Sequence, residues 1–328
     1  MRKSFSDVFR HPITHAPLGL EVGESTGDEV ITGVLRSSED EFPIVNSIAR
    51  FVPAANYAES FGRQWLEYST TQLDSRANWN ESRRRLFEGT QWPEDLHGQR
   101  VLEAGAGMGR FTEVLAQTGA SICSFDLSRS IEAGYENNQR FSNVLFAQAD
   151  ILNPPFELAS FDKVLCIGVL QHCPSPRNAF LSLCRFVKPG GEIFIDIYRL
   201  NWRSFLMGKY YLRPLTRRLP LPLLRTLVRY HVGWVYPTTG VLHKVLGRPG
   251  RVASTVLSVA DYRGVFDLED SKLKELALLD TFDALSPAYD RPATVGMVRR
   301  WFESAGFEDV QLSCAGSWVK AKGRRPRS

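Results

Sequence analysis

Apolar and polar positions change their period along this chain, and the changes divide it. From 100 to 197 short apolar runs alternate with amphipathic stretches. Val101–Ala104, Ala120–Asp126, Asn143–Asp150, Phe161–Gly168 and Glu192–Tyr198 read as strands. After the first of them, Phe111, Val114 and Leu115 share one helical face. Such alternation predicts a parallel sheet with helices on both faces and ligands at the carboxyl ends of its strands. Upstream, Leu18–Val22, Asp28–Leu35 and Glu41–Val45 predict a small β-rich module over 1–56. Residues 57–99 read as a helical cap, with Phe61, Trp65 and Tyr68 on one face and Tyr57, Trp79, Leu86 and Phe87 adding aromatic and apolar bulk. Arg83-Arg-Arg85 reads as a solvated face.

Downstream of the fifth strand the pattern changes. Residues 198–290 form a helical insertion in which Leu224, Leu227, Val228 and His231 share a face and Arg225 and Arg229 another. Residues 291–322 complete the core: a helix over Thr294–Ala305, stopped by Gly306, then an antiparallel pair, Phe307–Ala315 and Ser317–Ala321. The basic end, 323–328, reads as a disordered tail.

The chemistry begins where the first strand of the alternating region ends. Glu103, Gly105, Gly107 and Gly109 form Glu-x-Gly-x-Gly-x-Gly, a strand–turn–helix junction at which backbone approaches a ligand closely. A dinucleotide fingerprint needs a glycine where Arg110 stands, so that ligand is excluded. The second strand ends in Asp126, an acid placed to accept from two ribose hydroxyls, and the third ends in Asp150. The fourth is followed by Val169-Leu-Gln-His-Cys-Pro174, and Val187-Lys-Pro-Gly-Gly191 turns into the fifth.

In this order and spacing the chain resembles class I S-adenosylmethionine (SAM)-dependent methyltransferases. The resemblance covers about residues 57–322 and is specific over 100–198. It implies a doubly wound, Rossmann-like α/β fold around a seven-stranded, mostly parallel sheet, with the insertion after the fifth strand. It also implies SAM as cofactor, with contacts at Glu103, Gly105, Gly107, Gly109, Asp126, Leu127, Asp150, Ile151 and Gly168, Asp150 meeting the adenine amino group. Phe61-Gly-Arg-Gln-Trp65 is expected at the cofactor mouth. That segment and Thr281–Asp290 look like bacterial members that modify small molecules or glycans. The N-terminal module is similar to zinc-ribbon-like modules that precede some methyltransferases, with His11-Pro-Ile-Thr-His15 where those carry Cys-Pro-x-Cys. A structural zinc needs four ligands and no second pair is visible, so no metal is expected. Asn153-Pro-Pro-Phe156 spells a base-gripping tetrapeptide but precedes the fourth strand instead of following it, and reads as a loop.

Composition narrows the setting. Five cysteines without C-x-x-C spacing and a start without an apolar leader point to a reducing, cytoplasmic protein. Charge changes the picture more. Residues 197–260 carry basic side chains at 199, 203, 209, 213, 217, 218, 225, 229, 244, 248 and 251 and no acid. Of 40 basic and 36 acidic residues overall, 29 and 36 remain elsewhere, a balance of −7. A cationic insertion sits on an acidic body.

Methyl transfer to a hydroxyl or amine needs a group to take the acceptor's proton, and His172 is the candidate base. The insertion is expected to close as a lid and bind an anionic small-molecule or glycan acceptor through Arg213, Arg217 and Arg218, with Asp283 and Tyr289 beside them. A peripheral membrane surface ranks second for the basic insertion. RNA methylation and non-catalytic SAM binding are the rival readings. No recognised nucleic-acid module appears, and no nucleic-acid partner is expected.

Overall fold

The computed structural model describes residues 1–53, 56–77, 80–247 and 253–327. Trp79, Arg248 and Arg251, which enter the patterns above, lie outside them. The chain forms two compact units, 1–199 with 289–328, and 200–288.

The first unit is built on one mixed sheet of eleven strands, in the order β1-β2-β3-β4-β7-β6-β5-β8-β9-β11-β10. The strands are β1 (Gly19–Thr26), β2 (Glu29–Arg36), β3 (Glu41–Val45), β4 (Ile48–Arg50), β5 (Arg100–Ala104), β6 (Ser121–Asp126), β7 (Val144–Gln148), β8 (Phe161–Cys166), β9 (Val187–Tyr198), β10 (Glu308–Ala315) and β11 (Trp318–Arg324). The expected seven strands are β5–β11. The count is larger because the N-terminal strands continue the sheet instead of standing apart as a module. Short β4 pairs parallel with β7, Ala49 against Ala147 and Arg50 against Gln148. Arg50 fixes that junction by donating to Gln148 Oε1 at 3.0 Å and Glu132 Oε1 at 3.3 Å. Below it Phe9, Phe51 and Phe156 pack ring on ring, so the Asn153-Pro-Pro-Phe156 loop is the dock for the first residues of the chain.

Neither histidine of His11-Pro-Ile-Thr-His15 faces a metal-binding cluster among the described residues. His11 Nε2 donates to Asp40 at 2.9 Å, and its Nδ1 accepts the Ile13 and Thr14 amides. At the other edge, β11 runs to Arg324 against Glu192, and Arg325 exchanges backbone bonds with Gly190 and Gly191. Residues 323–326 are therefore strand end and anchored segment, in place of the expected disordered tail. Its cationic side chains reach partners there, Arg324 meeting Glu192 at 2.9 Å.

Three helices precede β5: α1 (Glu59–Glu67), α2 (Asp74–Ala77) and α3 (Glu81–Thr90). Helices α4 (Arg110–Ala116), α5 (Ser130–Asn138) and α6 (Pro176–Cys184) connect the parallel strands. In the second unit, α7 (Lys209–Thr216) and α8 (Leu221–Leu246) both pack on α9 (Asp270–Leu285). The sheet unit resumes with α10 (Val295–Ser304), capped by the Thr294 hydroxyl on the Met297 amide at 3.1 Å. The small core of the second unit holds Leu224, Val228, Val232 and Tyr236 of α8 with Ala277 and Leu285 of α9. Leu227, expected on the same face as Leu224, instead points outward and is exposed.

Candidate functional site

The parallel strands end together, and their ends carry the polar groups. Leaving β5, Gly105, Gly107 and Gly109 all take positive φ. At Gly105 a Cβ would stand 2.1 Å from Val169 Cγ2, so the turn can pack on the β8 loop only without a side chain. Gly107 differs. A Cβ there would meet nothing closer than the Trp65 indole at 3.8 Å, which leaves its backbone open to a ligand. Its N–H donates to Asp126 Oδ2 at 2.9 Å. Asp126 Oδ1 accepts the amide and hydroxyl of Ser128 at 2.8 and 2.7 Å. Burial raises the Asp126 carboxyl above its ordinary range, opposed by those hydrogen bonds.

Asp150 follows β7 and accepts the Leu152 amide at 2.9 Å. Ile151 is buried, and the Leu127 carbonyl accepts from Asn56 and Gln148. Glu103 points away from this edge into the core. Its Oε2 takes hydroxyls from Thr112 and Ser124, both at 2.6 Å, and burial pushes the carboxyl up to about 7. The acid of the glycine motif thus ties β5 to β6 and α4.

The α1 segment Phe61-Gly-Arg-Gln-Trp65 lies against this edge. Gly62 packs on the Arg129 amide and the Ser128 side chain, Trp65 faces Gly107, and the Phe61 ring meets His172 at 4.8 Å. His172 sits in a short turn, Leu170–His172, after β8. Its Nδ1 lies 3.1 Å from the Tyr289 carbonyl. A carbonyl only accepts, so in the neutral ring Nδ1 carries the hydrogen and Nε2 is the basic nitrogen. Tyr289 also stacks edge-on with Tyr57 at 5.4 Å. Burial lifts the Tyr57 hydroxyl far above its ordinary value, with the Asp150 and Asp126 carboxylates among the further causes.

Three polar groups here escaped the sequence reading. Gln64 of α1 is 3% exposed and Gln171, beside His172, is 0% exposed, and neither amide has a protein partner. A buried amide needs a partner, which a polar ligand or an ordered water supplies. The third is Asp196 of β9, 0% exposed, which accepts the Gly168 amide and the Arg85 guanidinium, both at 2.6 Å. Arg85 lies over the Trp318 ring at 4.5 Å. It therefore leaves the solvated face predicted for Arg83-Arg-Arg85, because a buried carboxylate draws it in. An acid inside the apolar run 193–198 was the signal available in the sequence.

The expected acceptor residues divide. Tyr289 belongs to the cluster around His172. Arg213 is buried within the 200–288 unit and donates to the Ala284 and Pro287 carbonyls at 3.0 and 2.8 Å, so it holds that unit together instead of presenting its fork to an acceptor. Arg217 and Arg218 are exposed beyond the end of α7, and Asp283 is half-buried on α9.

The residues present suit SAM. Two open glycines, Gly107 and Gly168, the carboxylates of Asp126 and Asp150, unpartnered Gln64 and a wall of Tyr57, Phe61 and Trp65 match a ligand with hydroxyls, a polar tail and a cationic sulfur. Comparison with known proteins agrees. Residues 102–195 match the family model described as a methyltransferase domain. The ubiquinone biosynthesis O-methyltransferase of Coxiella burnetii (strain RSA 493 / Nine Mile phase I) is 30% identical over 113 residues, 34% of this chain and 48% of that protein. The one from Pseudomonas entomophila (strain L48) is 30% identical over 152 residues, 43% of this chain and 60% of that protein. The chain thus spans about half the length of the curated relatives it matches. Among solved structures, the N-methyltransferase NodS from Bradyrhizobium japonicum WM9 in complex with S-adenosyl-L-homocysteine aligns over 83% of this chain and 100% of that one. At 14% identity and a TM-score of 0.45 that likeness decides nothing about residues or acceptor. The stretch 102–195 is a SAM-dependent methyltransferase domain.

Proposed function

We propose that the whole protein transfers a methyl group from SAM to a small-molecule or glycan acceptor, at oxygen in the first place and nitrogen in the second. The observation that carries this reading is the contact of His172 Nδ1 with the Tyr289 carbonyl at 3.1 Å. A hydrogen on Nδ1, facing that carbonyl, makes Nε2 the basic nitrogen of the neutral ring. When bound, SAM supplies a methyl group on a positively charged sulfur, already activated for in-line displacement. Beyond the bonds the carboxylate takes from Gly107 and from the amide and hydroxyl of Ser128, Asp126 Oδ2 keeps a lone pair for a ribose hydroxyl. Gln64 offers an amide to the polar tail, and the aromatic wall keeps water from the reacting atoms. Oxygen ranks first because the curated relatives are named O-methyltransferases.

The acceptor is found by incubating the protein and SAM with a cell metabolite extract and following methylated products by mass spectrometry. With that acceptor, His172→Gln should lower turnover about a hundredfold or more while leaving S-adenosylhomocysteine affinity unchanged. Near-normal turnover of the variant would remove the base from this account.

A further inference from the structure

Helix α8 has two apolar faces, and the core of its unit uses one. Leu224, Val228, Val232 and Tyr236 are buried against α9. At about 100° per residue, Leu223, Leu227, Tyr230, Trp234, Val241 and Val245 fall within an arc of about 60° on the other side. All six are exposed, Trp234 at 77% and Val245 at 73%. Helix α7 repeats the arrangement on a smaller scale, with Arg213 buried and Tyr211 and Leu215 outside. Isolated exposed apolar residues are ordinary, but a continuous stripe of this size on a 26-residue helix marks a surface that something covers.

The charge of the segment that carries the stripe says what covers it. No acid occurs from 197 to 260, whereas eleven basic residues do, with Arg217, Arg218, Arg229 and Lys244 exposed in the described part. Such a face repels a second copy of itself. RNA would satisfy the arginines but leave leucine and valine in water. An anionic bilayer answers both features, with leucine and valine at the acyl boundary, tryptophan and tyrosine at headgroup level and arginine on the phosphates. No helix among the described residues is long and apolar enough to cross a membrane, so α8 would lie along the surface.

We propose that the 200–288 unit docks its outer α7–α8 face on an anionic lipid surface. This assigns Arg217 and Arg218 to headgroups. It stands independently of methyl transfer, since vesicle binding is measured without SAM or acceptor.

The test is flotation of the full chain with vesicles of phosphatidylcholine alone and with added phosphatidylglycerol, at low and high salt. Two variants accompany it, Tyr230→Ser with Trp234→Ser, and Arg217→Gln with Arg218→Gln. The wild type should float with the anionic vesicles only and release as salt rises. Each double variant should bind about tenfold or more weakly. Failure of the wild type to float with anionic vesicles overturns the proposal, as does equal binding to neutral ones. Full binding by both variants overturns it too, by removing the face. A wild-type dimer in sedimentation velocity that Tyr230→Ser with Trp234→Ser dissociates, without vesicle binding, would give the face to a second copy instead.

Discussion

The two units place their costly residues in opposite ways. The sheet unit buries charge. Glu103 and Asp196 lie at most 3% exposed, each with partners inside the unit, Thr112 and Ser124 for one, Gly168 and Arg85 for the other. The 200–288 unit exposes apolar surface, with a tryptophan, a tyrosine, leucines and valines of one helix facing water. A buried charge is tolerated only when its hydrogen bonds are complete within the fold, so it marks a finished site. An exposed stripe gains nothing until another surface removes its water, so it marks an unfinished one. The first unit holds the chemistry, and the second is shaped to meet something else.

Substitution should separate them. Asp196→Ala leaves Arg85 over Trp318 without its carboxylate and the Gly168 amide without its acceptor. Breaking a buried pair in this way is expected to cost about 3–5 kcal/mol in urea unfolding. Trp234→Ser, on the exposed stripe, should change stability by about 0.5 kcal/mol or less. Similar losses for the two would erase the distinction.

That contrast also explains what could be read from the sequence. The strands β5 to β8 announced themselves because each is an apolar run followed by glycine or acid, and Asp126, Asp150 and His172 all fall at or after strand ends as the alternation requires. Glu103 was legible as a residue but not in its role. Spacing places it at the motif, while only packing shows that it turns toward Thr112 and Ser124. Arg85 was misread because three successive arginines look alike until a buried acid selects one. The eleven-stranded count was illegible for a similar reason, since β4 is three residues long and its parallel partner β7 lies far along the chain. In the 200–288 unit periodicity found the helix, but with apolar residues on both sides it could not say which face is inside.

A smaller effect sharpens the contrast within the sheet unit. Folded, the Glu103 carboxyl keeps its proton up to about 7, whereas an unfolded glutamate releases it near about 4.3. Between those values the folded state binds more protons, so this group's contribution falls as pH rises from about 4.5 to about 7 and then levels off. Glu103→Gln is neutral throughout. It should match the wild type near pH 4 and be more stable by about 3–4 kcal/mol near pH 8, read as the difference of two urea titrations. A constant difference across that range would mean that Glu103 is ionised in the fold at acid pH as well.

The central claim is that the ends of β5, β6 and β7 hold SAM through Asp126, and calorimetric titration with S-adenosylhomocysteine tests it most directly. The wild type should bind, and Asp126→Ala, folded by circular dichroism, should bind about tenfold or more weakly, at about 1.5–3 kcal/mol per charged hydrogen bond lost. Equal affinity in the folded variant, or no binding by the wild type, would contradict the account.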